Sequence, residues 1–85
     1  MYKAIWKETA TKQLSKFDKT IAAEITEKVE IYLVKDPHSL GERLRHKYKG
    51  LFRFKVKGDW RVIYEIKDNE LLIFIVKVGH RREVY

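Results

Sequence analysis

The 85 residues carry 19 Lys and Arg against 12 Asp and Glu, a formal charge of +7. That length holds one small domain, residues 1–85, and a content of 45% apolar and 13% aromatic residues excludes a disordered tail, a collagen-like rod or a low-complexity linker. With no Cys there is neither a disulfide scaffold nor a thiolate zinc site, and the longest apolar run, Leu71 to Val76, falls far short of the ~20 residues of a membrane span. Lys3 and Lys7 interrupt the first apolar stretch and argue against a signal peptide, so the expectation is a cytoplasmic protein with no membrane partner.

Tyr2, Ala4 and Trp6 alternate with Lys3, Ile5 and Lys7 and predict a short opening strand. From Glu8 the period lengthens: Ala10, Leu14 and Phe17 mark one short helix. Ile21, Ile25, Val29 and Leu33 mark a second, capped by Asp18 or Thr20 and stopped at Asp36-Pro37. The short break between them makes an antiparallel helical pair. After Gly50 the period becomes two. Phe52, Phe54 and Val56 alternate with Arg53, Lys55 and Lys57, and Trp60, Val62 and Tyr64 alternate with Arg61, Ile63 and Glu65.

The loop between these two strands decides which side chains share a face. A loop of Gly58 and Asp59 alone would put Arg61 among Phe54 and Val56, burying unpaired charge at a cost of several kcal/mol. A three-residue loop that includes Lys57 pairs Val56 with Trp60 and Lys55 with Arg61. Six apolar residues then gather on one face, and Arg53, Lys55 and Arg61 on the other, which is expected to face solvent. Lys67 to Glu70 form the next turn, and Leu71 to Val76 read as a central strand covered on both sides. Gly79 marks a bulge or bend. The predicted fold is α+β: a strand and helical hairpin packed on a small, mainly antiparallel twisted sheet, in the order β-α-α-β-β-β.

The charge is segregated along this plan. Residues 1–42 balance seven Lys with seven acids, and residues 62–85 balance four bases with four acids. Residues 43–61 hold Arg43, Arg45, Lys47, Lys49, Arg53, Lys55, Lys57 and Arg61 against Asp59 alone. Such a block repels itself unless it meets an anionic partner, and no Gly-rich phosphate loop suggests a nucleotide cofactor. No cofactor is expected. The three His show no ligand spacing with the acids, so no metal is expected either.

Two segments, Gly58-Asp59-Trp60-Arg61-Val62-Ile63-Tyr64 and Val78-Gly79-His80-Arg81-Arg82-Glu83-Val84-Tyr85, resemble the RelE/ParE toxin superfamily of bacterial and archaeal toxin–antitoxin pairs. The resemblance covers essentially the whole chain. It implies a microbial-ribonuclease-like sheet, a small RelB-like antitoxin as partner and, for the RelE branch, cleavage of messenger RNA on the ribosome. It further implies catalytic roles for Arg53 (a departure from the usual Lys), Lys55, Arg61, Arg81 and Tyr85.

Cleaving RNA with its own 2′-hydroxyl requires a base for that hydroxyl, positive charge on the phosphorane and an acid for the leaving 5′-oxygen. Arg61 and Arg81 suit the phosphorane, because guanidinium is planar, always charged and binds phosphate bidentately. Lys55, lying among cations, is expected to have a lowered pKa and to serve as base. Arg53 is too weakly acidic to act as a base and is assigned an electrostatic role. Tyr85 is expected to orient the 2′-hydroxyl or stack on a base, and His80 is available as acid or base. Arg43, Arg45, Lys47, Lys49, Lys57, His80 and Arg82 are expected to contact RNA, mostly through phosphates. The duller expectations are that Trp60 and Tyr64 pack the core, that His38 and His46 are solvated, and that Arg81 and Arg82 pair with Glu65 or Glu83. Two other functions compete: a ParE-type inhibitor of DNA gyrase without nuclease activity, and a catalytically decayed nucleic-acid-binding module.

Overall fold

The computed structural model describes residues 1–84. Strand β1 (Lys3–Trp6) leads into helices α1 (Glu8–Ser15) and α2 (Lys19–Glu27). Asp18 caps α2, its carboxylate accepting from the Thr20 amide at 3.1 Å. An apolar stripe that steps by four residues drifts by about 40° per step around a helix of 3.6 residues per turn. Here α2 runs into a π-helical turn (Lys28–Tyr32), whose wider winding offsets that drift. Ile25, Val29 and Leu33 are accordingly all fully buried.

Asp36-Pro37 ends this helical run, after a 3₁₀ turn (Leu33–Lys35), and also starts another. Pro37 occupies the first turn of a short helix α3 (Pro37–Leu40), where its missing N–H costs nothing, and Asp36 caps it through the Ser39 amide. Strand β2 (Glu42–Arg43) follows directly, then a loop closed by the Leu44 amide donating to Leu51 O at 2.9 Å. The remaining strands are β3 (Phe52–Val56), β4 (Trp60–Lys67) and β5 (Leu72–His80).

The five strands form one mixed sheet in the order β1-β5-β4-β3-β2. β1 joins β5 in parallel and every other pairing is antiparallel. The β3–β4 register is the one the charge argument selected: Val56 opposite Trp60 and Lys55 opposite Arg61. The loop is Lys57-Gly58-Asp59, with Lys57 and Gly58 at φ of 52° and 77°. Phe52, Val56, Val62 and Tyr64 are buried beneath the helical layer with Ile73, Ile75 and Val78, while Phe54 and Trp60 pack on this core from its margin.

Three expectations need correction. β5 is covered on one face only: Ile73 and Ile75 are fully buried, whereas Phe74 on the opposite face is half-buried with the Lys7 ammonium 5.1 Å above its ring. The bulge lies at Val76, where the register shifts between Ile63 and Tyr64, and Gly79 continues the strand. Gly79 is small because Val84 packs against it, 2.9 Å from where a Cβ would sit. Finally, His38 is more than a solvated loop residue: it meets Asp68 at 2.7 Å, and Tyr2 donates to the same carboxylate oxygen at 2.6 Å. Those bonds hold Asp68 below its usual pKa, Tyr2 first and His38 second, and the same contact raises Tyr2.

Candidate active site

Strand alternation places Arg53, Lys55 and Arg61 on the sheet face opposite the helices, with Ile63 and Lys77 beside them. A carboxylate missed in the sequence reading stands among them. Glu42 pairs with Arg53 across β2–β3, and its Oε1 accepts from Arg53 Nη2 at 3.0 Å while Lys55 Nζ lies 3.6 Å away. The Arg53 hydrogen bond, and then the two positive charges, hold the Glu42 carboxyl below the usual range. The neighbourhood of Lys55 is therefore not purely cationic as expected. A two-residue strand has too little pattern to be read from sequence, and Glu42 gave no other signal.

Arg61 is not the solvent-facing cation expected. It is 8% exposed, and Nη1 donates to Gly58 O at 2.7 Å and Trp60 O at 3.1 Å. The tight Lys57–Asp59 turn folds the Gly58 carbonyl back onto the guanidinium, and with the Trp60 carbonyl at the start of β4 it fixes the position of Nη1. Among the described residues nothing accepts a hydrogen bond from Arg61 Nη2 or Nε. Arg81 is tied to the same turn: its amide donates to Asp59 O at 2.7 Å, and Nε lies 3.7 Å from Asp59 Oδ1. One turn thus anchors Arg61 from β4 and Arg81 from just beyond β5.

The other candidates divide. Lys57 leaves the cluster for the helical layer, where Nζ meets Glu24 at 3.1 Å. His80 pairs with Trp60, its ring edge-on to the indole at 5.5 Å, so it lies on the helix-side face away from Lys55 and Arg61. The Arg82 amide donates to His80 Nδ1 at 3.3 Å, and the guanidinium of Arg82 makes no ion pair with Glu65 or Glu83 among the described residues. Arg43, Arg45, Lys47 and Lys49 gather around the loop after β2, with the Arg43 guanidinium 5.4 Å above the Phe52 ring and Lys47 over Tyr48. The role assigned to Tyr85 falls on a residue outside those described. No group of three His, Asp or Glu able to hold a metal ion occurs among the described residues.

The family described as the ParE toxin of the type II toxin–antitoxin system, parDE, matches residues 4–85. The chain belongs to that family. Among curated relatives, the toxin is 35% identical over 77 residues to Toxin RelE of Mycobacterium tuberculosis, covering 91% of this chain and 78% of the relative. It is 31% identical over 77 residues to Toxin RelG of the same organism, covering 91% and 87%. Among solved structures, it superposes on a chain of the toxin–antitoxin complex RelBE2 from M. tuberculosis with a TM-score of 0.90 and 29% identity, covering 96% of this chain and 93% of that one. The isolated E. coli RelE toxin shares the fold, at a TM-score of 0.78 and 24% identity, covering 100% and 92%. The protein is therefore a type II toxin of the RelE/ParE family with the fold of RelE toxins, and no described helix of it is long and apolar enough to cross a membrane.

Proposed function

We propose that this toxin is a ribosome-dependent messenger RNA endonuclease that acts in the cytoplasm and is neutralised by a small RelB-like antitoxin. The observation that carries the reading is the gathering of Arg53, Lys55 and Arg61 on one sheet face, with Arg81 tied to the turn that fixes Arg61. Such cations suit a phosphate whose charge grows during reaction. Lys55, once deprotonated, takes the 2′-hydroxyl proton; the 2′-oxygen then attacks the adjacent phosphorus. Arg61 and Arg81 hold the equatorial oxygens of the phosphorane through charge-assisted bonds, and Arg53 adds field strength. The P–O5′ bond breaks as a water molecule protonates the leaving 5′-oxygen, the hydroxide so formed taking back the proton held on Lys55, which leaves a 2′,3′-cyclic phosphate and a 5′-hydroxyl end. The scheme uses no metal. Glu42 competes for Arg53 and Lys55 in the free protein, so substrate phosphate must displace or share its contact.

A second reading, the ParE-type gyrase inhibitor, is favoured by one observation: Arg61 is buried and spends one nitrogen on backbone carbonyls, a structural job it would keep in a protein without nuclease activity. The deciding experiment combines purified toxin, 70S ribosomes and a reporter messenger RNA and maps new 5′ ends, alongside a gyrase supercoiling assay. New ends that disappear with Arg81→Ala, in a variant of unchanged thermal stability, support the nuclease. Intact RNA with blocked supercoiling would establish the gyrase reading instead.

A further inference from the structure

The bases before Gly50 do more than thicken a positive surface, because the loop that carries them encloses a groove. Its volume is about 550 Å³, within the ~300–1,000 Å³ range typical of small-ligand sites. Its lining is part apolar, from Leu44, Leu51 and Phe52, and part cationic, from Arg43, Arg45 and Lys49, with the Arg43 guanidinium lying over the Phe52 ring. None of these three cations has a carboxylate within ion-pair distance among the described residues.

The groove is held open by the chain itself. The Leu44 amide closes the loop onto Leu51 O, a 3₁₀ turn (His46–Tyr48) braces it, and the Leu51 amide bonds Tyr48 O at 3.0 Å. The left-handed backbone at His46 and Gly50 (φ 58° and 94°) turns the loop back toward the sheet. Glu42, the acid shared by Arg53 and Lys55, also lines the groove and joins it to the candidate catalytic face.

We infer that this groove is a subsite for one nucleotide of the RNA strand, lying beside the phosphate to be cleaved: the base against Leu44, Leu51 and the guanidinium plane of Arg43, the phosphate on Arg45 and Lys49. The inference rests on the RNA-cleaving reading and adds to it a place where a neighbouring nucleotide is gripped. A bare anion would leave the apolar lining unused, and an apolar ligand would leave three cations uncompensated. A nucleotide offers both halves, a flat base that stacks on a guanidinium plane and a charged phosphate. The groove then fixes the strand so that the next phosphate meets Arg53 and Lys55, which is positioning and not chemistry.

The test is titration of ¹⁵N-labelled full-length toxin with cytidine 5′-monophosphate, ribose 5-phosphate, a trinucleotide with 2′-O-methyl sugars, and an oligoglutamate peptide. Cytidine monophosphate is expected to shift the amides of Leu44, Arg45, His46 and Leu51, to bind at least about fivefold tighter than ribose 5-phosphate, and to be outdone by the trinucleotide. Arg45→Ala with Lys49→Ala, both exposed, should weaken it at least about tenfold, as loss of charge-assisted bonds implies, while Lys12→Ala on α1 leaves it unchanged. Arg43→Ala should remove the advantage over ribose 5-phosphate without unfolding the protein. Equal affinity for ribose 5-phosphate, shifts scattered over all the basic residues, or an oligoglutamate that binds tighter than the trinucleotide would each overturn the assignment, the last in favour of an acidic protein partner. The same preparation is assayed with ribosomes and messenger RNA. Nucleotide binding without cleavage sinks the nuclease and keeps the groove, whereas cleavage without these amide shifts does the reverse.

Discussion

The support under the candidate face turns on Gly41, and Gly41→Ala measures it. Gly41 has φ −110° and ψ 173°, extended backbone that Ala adopts freely, so any cost of the substitution is steric. A Cβ there would overlap Tyr64 Oη, lie 2.8 Å from Tyr64 Cζ and 3.0 Å from Arg53 O. None of these can yield cheaply: Tyr64 is fully buried, its ring stacks on Phe52 at 5.5 Å, and its hydroxyl donates to Pro37 O at 2.7 Å. Forcing a methyl into packed space costs about 1–3 kcal/mol, and breaking the buried hydroxyl bond adds about 1–2. A loss of about 3 kcal/mol is expected, a large part of the roughly 4–13 kcal/mol open to a domain of this size. Tyr64→Phe alone leaves Pro37 O without its donor and costs about 1–2 kcal/mol. It also deletes the atom closest to the new methyl, so the double variant should be more stable than the sum of the singles by at least about 1 kcal/mol. Urea unfolding at fixed pH gives all four free energies, provided the slopes agree. Additivity within about 0.5 kcal/mol, or a neutral Gly41→Ala, would refute the close packing of Gly41 against the Tyr64 hydroxyl.

Other consequences are independent of that cycle. Glu42 and Asp68 both have folded-state pKa values lowered by hydrogen bonds and cations, so the stability they contribute is present above the ordinary carboxylate pKa of about 4 and is lost as pH falls through the lowered values. Glu42→Gln and Asp68→Asn should therefore unfold earlier in urea than the parent at neutral pH and converge with it near pH 2, seen as merging midpoints. If the nuclease reading holds, Lys55→Ala loses about 10²–10⁴ in single-turnover cleavage, the usual value of a general base, whereas Lys57→Ala, which gives up a surface pair to Glu24, changes the rate little. Binding to single-stranded RNA should weaken with salt, and Arg45→Ala should reduce the log–log slope by about 0.7, as expected for one phosphate contact. An unchanged slope would remove Arg45 from the RNA-contacting surface.

The pattern of burial was legible where a periodic run met a physical penalty. The β3–β4 register followed from the cost of placing Arg61 among Phe54 and Val56, and the structure has that register. The pattern failed where one residue changes a face. From Lys67 opposite Leu72 to Tyr64 opposite Ile75, the paired positions begin with one register, and a bulge at Val76 then displaces it. A one-residue slip turns over every side chain beyond it. Without the bulge, His80 would share a face with Arg61; with it, His80 stands against Trp60. Nothing in Leu71 to Val76 marks the bulged residue, because a continuous apolar run has no alternation to interrupt. Glu42 was hidden for a different reason. It adjoins Arg43 in sequence, yet its partners are Arg53 and Lys55, reached only because α3 and Gly41 return the chain to the sheet edge.

These two failures change what the net charge of +7 means. In sequence, residues 43–61 are eight cations facing one acid. In the fold, acids from elsewhere move in: Glu42 to Arg53 and Lys55, and Glu24 to Lys57, while Arg61 turns to carbonyl oxygens. The local field at the candidate catalytic face is thus tempered, which favours holding that face together before any substrate arrives. Arg43, Arg45, Lys47 and Lys49 have no such acid among the described residues, so the uncompensated charge is concentrated on the loop beside β2. Long-range attraction of a polyanion and chemistry on one phosphate ask for different environments, the first uncompensated and exposed, the second oriented and partly shielded. The fold separates them by a single strand, with Glu42 on the boundary.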